Sequence, residues 1–198
     1  RLALEDASAY YNRGTAKASL KQYEAAIEDF DQAIRLAPEY AAAYGNRGVA
    51  KTTLEQYRSA IADYDEAIRL DSKDAVAYYN RGIAKAALEQ HRSAIEDYGE
   101  AIRLDSKDAA AYYNRGAAKA ALKQYQSAIE DYDEAIRLAP EYADAYCGRG
   151  LAKATLNRTG EARPDLQTAR RLAQEAGNEE WAAEISDVIQ AMDNPETQ

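Results

Sequence analysis

This chain of 198 residues is poor in the residues that carry most site chemistry. It has one cysteine, Cys147, so it can form no internal disulfide and no thiolate zinc cage. It has one histidine, His91, which stands far from Cys147 in sequence and in no catalytic or metal-ligand motif. Positive charge is in deficit: 25 Lys and Arg against 34 Asp and Glu leave a net charge of −9. Nucleic-acid binding needs a basic stripe to neutralise phosphates, and none is present. No apolar run approaches the roughly 18 residues that would suggest a membrane span. No signal peptide opens the sequence, so the expectation is a soluble intracellular chain. Glycine (10) and proline (4) are few while alanine is abundant, which favours helix.

What the chain does have is a period. Gly14, Gly48, Gly82, Gly116 and Gly150 recur every 34 residues, and so do Tyr10, Tyr44, Tyr78, Tyr112 and Tyr146. Lys17, Lys51, Lys85, Lys119 and Lys153 keep the same phase. This gives units at 7–40, 41–74, 75–108, 109–142 and 143–176, the signature of a stacked solenoid. Each unit reads as two helices joined by a short turn. In the fourth, Ala109 to Leu122 forms the first helix, Lys123 to Tyr125 the turn and Gln126 to Leu138 the second helix. The segment from Ala139 to Tyr142 then stops the chain at Pro140.

On these residues the chain resembles the tetratricopeptide repeats. In the fourth unit Tyr112, Gly116, Ala128, Tyr132, Ala135 and Pro140 carry the resemblance, which extends over residues 7–176. It implies an all-α, right-handed superhelix of helical hairpins whose first helices line a concave groove. It also implies a protein-binding scaffold with no catalysis and no cofactor. Departures exist. Ser72 and Ser106 replace the family's proline. Arg163 and Arg170 replace isoleucines in a degenerate fifth unit, and Pro164 enters that unit's second helix.

Residues 1–6 align with 35–40 and read as the remnant of a preceding repeat or an N-terminal tail. Residues 178–193 read as an amphipathic capping helix, with Trp181, Ile185, Val188, Ile189 and Met192 on one face. Residues 194–198 read as a tail.

Helical geometry divides each first helix into faces. Tyr112, Arg115, Gly116 and Lys119 face the paired second helix. Asp29, Asp63, Asp97, Asp131 and Asp165 recur in phase with Arg13, Arg47, Arg81, Arg115 and Arg149. Residues equidistant from the turn lie level, so an Arg–Asp pair is expected inside each hairpin. The lysine stems are expected along the hairpin with their ammonium groups near solvent.

Under the resemblance, the opposite face lines the groove. It carries Asn12, Asn46, Asn80 and Asn114, with Tyr11, Tyr79, Tyr113, Val49, Val76, Ile83 and Leu151. The one charge on it is Asp144, and Gly148 breaks the asparagine series. Asparagine offers both donor and acceptor, so the series either grips a peptide backbone or bonds within its own repeat. Tyr79 and Tyr113 are candidate anchors.

Under the resemblance, repeats that clamp the carboxylate tail of heat-shock chaperones carry Lys and Arg in the groove. Their absence here argues against such a partner. The alternative to peptide binding is self-assembly by end-to-end contact of the solenoid.

Overall fold

The computed structural model describes residues 2–193 and, within them, the side chains of residues 6–192. Residue 1 and the expected tail at 194–198 lie outside the described residues. The helices are α1 (Leu2–Ser19), α2 (Tyr23–Leu36), α3 (Ala41–Thr53), α4 (Tyr57–Leu70), α5 (Ala75–Ala87) and α6 (His91–Leu104). They continue with α7 (Ala109–Ala121), α8 (Tyr125–Leu138), α9 (Ala143–Thr155), α10 (Thr159–Glu175) and α11 (Glu179–Asp193). The chain divides into two compact units, residues 1–104 and 105–198. The first holds the hairpins α1–α2, α3–α4 and α5–α6. The second holds α7–α8 and α9–α10, followed by α11.

The turns explain the boundaries. The residue after each first helix's last turn takes a left-handed conformation: Lys21, Glu55, Glu89, Lys123 and Asn157 have φ between 58° and 60°. The following amide returns to the helix, as in Gln56 N to Lys51 O at 2.8 Å, satisfying a carbonyl the helix end would orphan. Between repeats there are two solutions. Pro38 and Pro140 stop α2 and α8. Where serine replaces proline, aspartates do the work instead. Asp71 and Asp105 accept from the amides of Lys73 and Lys107 at 3.0 Å. Asp74 caps α5 through Ala77 N (3.0 Å), and Asp108 caps α7 through Ala110 N (2.9 Å).

α1 is longer than the 34-residue phase suggests, because residues 2–6 continue it as helix. Leu4 stands where Pro38 ends α2, so nothing in this stretch interrupts the turn. α10 runs on past Pro164.

The core is built from small residues around one large one per hairpin. Ala26, Ala33, Ala60, Ala67, Ala128 and Ala135 are fully buried. Buried with them are Phe30, Tyr64, Tyr98, Tyr132 and, in the fifth repeat, Leu166. Each large side chain lies under the glycine of its partner helix, so Gly48 sits over Tyr64 and Gly82 over Tyr98. In the second unit, α11 buries Ile185 and Ile189 against Leu166 and Ala169, with Trp181, Val188 and Met192 packed on the same cluster.

Candidate functional site

The phased charges form one repeated cluster. In every hairpin the arginine's Nε and Nη2 donate to the two carboxylate oxygens of the aspartate sixteen residues on, at 2.5–3.0 Å. The lysine one turn later brings its Nζ to 2.7–2.8 Å from the same carboxylate. Each arginine also lies over the ring of the tyrosine three residues before it, 5.1–5.5 Å from the centroid. Arg47, Arg81 and Arg149 each hold a second acid from the preceding repeat: Asp31, Asp65 and Asp133 at 2.5–2.6 Å. The lysines are therefore drawn onto the buried aspartates rather than left in water. Their constant spacing of twelve residues from those aspartates was the available signal.

A carboxylate held by two cations on both oxygens is not a base, a nucleophile or an open metal ligand. These clusters link the two helices of each hairpin. The hydrogen bond from Arg13 holds Asp29 down at about 2 against the opposing effect of its burial, helped by Lys17. In the unfolded chain an aspartate titrates near about 3.9. The folded pKa is the lower one, so the stabilisation is complete above about pH 4 and drains away as pH falls towards 2. A carbon-13 titration of the Asp29 carboxyl should give a midpoint near 2, and stability should stay flat above about pH 5 and fall below 4. A midpoint near about 4 would mean the pair is not formed.

The opposite face is less uniform than its sequence. In the first unit α1, α3 and α5 lie side by side. Tyr11 packs against Phe30 (6.0 Å between centroids) and Tyr40 (4.9 Å), and its hydroxyl accepts from Asn46 Nδ2 at 2.9 Å. Tyr11 and Asn46 thus cross-link the first two repeats. Tyr79 packs on Tyr98 at 6.0 Å, and Ile83 is half-buried. Asn12 is exposed. Asn80 is half-buried, and among the described residues its side chain has no hydrogen-bond partner. Val49 is 41% and Val76 65% exposed, which marks the apolar surface this face offers to solvent.

In the second unit Tyr113 lies between Tyr132 (5.9 Å) and Tyr142 (5.0 Å), and Asn114 is half-buried and engaged. Leu151 is 43% exposed. Gly148 has no room for an asparagine, because a Cβ there would meet Tyr132 Cζ at 2.8 Å. Cys147 is half-buried; burial and, secondarily, Asp144 push its thiol up to about 11, the opposite of an activated nucleophile. Among the described residues no group of three His, Cys, Asp or Glu could hold a metal, and no helix is long and apolar enough to cross a membrane.

Two family profiles match the chain. One, described as tetratricopeptide repeat, matches residues 7–40 and 109–142; the other, described as TPR repeat, matches 51–89 and 85–123. No curated protein matches it in sequence. Among solved structures, it is similar to MamA from Desulfovibrio magneticus RS-1 at 20% identity and a TM-score of 0.81, covering 86% of this chain and 96% of that one. It is similar to YrrB, described as a TPR protein with an unusual peptide-binding site, at 23% identity and a TM-score of 0.78, covering 92% and 93%. The first TPR of Spaghetti (RPAP3), bound to the HSP90 peptide SRMEEVD, matches at 23% identity and a TM-score of 0.60, covering 61% and 95%.

Proposed function

Since this chain belongs to the tetratricopeptide repeat family, we propose that it is a non-catalytic scaffold that binds a peptide segment of a protein partner on its first-helix face. The observation that carries the reading is the contrast between faces. The phased charges of the hairpins are spent on one another, whereas α3 and α5 expose Val49 and Val76 beside the Asn80 amide, which has no hydrogen-bond partner among the described residues. Exposed apolar side chains next to an unused donor and acceptor are what an extended or helical peptide can cover. YrrB and RPAP3, by their descriptions, bind peptides with a fold of this kind.

The partner is not an acidic tail. The SRMEEVD peptide held by RPAP3 is acidic. On the face described here the one charge is Asp144, and the nearby arginines and lysines are committed to aspartates.

Peptides selected on the whole chain from a library of random twelve-residue sequences provide the test. Val76→Glu is expected to weaken them at least about tenfold, because a charge would be forced against apolar contact surface. The melting temperature should barely move, since Val76 is largely exposed. Binders indifferent to Val49→Glu, Val76→Glu and Leu151→Glu would place recognition elsewhere.

A further inference from the structure

The first-helix face contains one position where the chain leaves out its own aromatic residue. Positions 11, 79 and 113 are tyrosine, position 147 is cysteine, and position 45 is glycine. In the first repeat the Tyr11 hydroxyl accepts from the asparagine of the next repeat, Asn46. Moving this arrangement on by one repeat puts Gly45 in the place of Tyr11 and Asn80 in the place of Asn46. A Cβ built on Gly45 meets nothing within 4 Å, so the space at the backbone is open. Asn80 has no side-chain partner among the described residues. Val49 stands one turn beyond Gly45 on α3, and Val76 one turn before Asn80 on α5; both are exposed.

Resting on the peptide-binding reading, we infer that Gly45 opens a notch that accepts a tyrosine side chain of the bound peptide, with Asn80 donating to the phenol oxygen. The chain supplies the template for this occupant in Tyr11 and Asn46, 2.9 Å apart. The valines cover the ring, and the amide selects the hydroxyl, because burying Asn80 against an apolar group would leave it unsatisfied. A phosphotyrosine is refused. The first-helix cations beside the notch, Arg47, Lys51, Arg81 and Lys85, are tied to Asp63 and Asp97, so none of them is free to answer two added charges.

The substitution Gly45→Tyr tests this, since it fills the notch from within and meets no steric obstacle at its Cβ. Peptides selected on the native chain should share a tyrosine and bind the Gly45→Tyr chain at least about tenfold more weakly. Changing that tyrosine to phenylalanine should cost about fivefold, and the cost should vanish in Asn80→Ala. Binders without a common tyrosine, or binders that hold Gly45→Tyr equally well, would overturn the notch and leave peptide binding standing. A failure to select any binder on either chain would overturn both.

Discussion

Replacing Asp97 with alanine is expected to destabilise the chain by about 3–5 kcal/mol, a large part of what a typical domain has. Asp97 is 3% exposed and accepts from Arg81 Nε (2.9 Å), Arg81 Nη2 (2.6 Å) and Lys85 Nζ (2.7 Å). Its removal strands Lys85 and leaves Arg81 with only the exposed Asp65. The cost comes from cations left without their counter-charge inside the hairpin, not from the intrinsic strength of one bond. Asp97→Asn, which keeps the shape but loses the charge, should cost less. A double-mutant cycle of Arg81→Ala with Asp97→Ala should show coupling above about 1 kcal/mol. The exposed pair Arg69–Glu66 is the control: Glu66→Ala should leave stability essentially unchanged, because water screens it. Denaturant unfolding measures all of these, and an Asp97→Ala chain as stable as the parent would show that the cluster is ornamental.

Glycine substitutions should change sign with position. In an open helix Gly→Ala gains about 1 kcal/mol from propensity. At position 45 there is nothing within 4 Å of the new Cβ, so Gly45→Ala should stabilise by about that amount. At position 82 the new Cβ would lie 2.7 Å from Tyr98 Cε1 and 2.9 Å from Cδ1. Tyr98 is 1% exposed and has nowhere to retreat, so overpacking should outweigh propensity. Gly82→Ala is expected to cost about 1–3 kcal/mol, and Gly82→Val more. Equal stabilisation at both positions would mean that the ring does not press on the glycine.

The period, the hairpins and the Arg–Asp phase are all visible in the letters, because each recurs with its partner at fixed spacing. The lysines keep a fixed spacing too, but that spacing alone does not place them, since a long side chain near a turn can as well reach water. Only the packing shows that Lys85 Nζ joins Arg81 Nε on the same oxygen of Asp97, Oδ2. The asparagines show a different limit. Four asparagines in one phase suggest four identical groups, yet Asn46 is bonded to Tyr11 while the Asn80 side chain has no hydrogen-bond partner among the described residues. The difference is set by the residue 35 positions earlier, Tyr11 in one case and Gly45 in the other, on the neighbouring helix. Tyr79 and Tyr113 read as anchors from sequence; in the structure each also packs on a buried tyrosine of its own hairpin. Residues 1–6 align with 35–40, but Leu4 lacks the stop that Pro38 supplies, and α1 runs through residues 2–6.

The central claim is that the charged clusters hold the hairpins while the neutral face of the first helices meets the partner. Amide NMR of the isotope-labelled chain, titrated with a selected peptide, tests it most directly. Shifts should concentrate on Gly45, Val49, Val76 and Asn80, with the resonances of Asp63 and Asp97 little changed. Shifts confined to the second helices α2, α4 and α6 would contradict it.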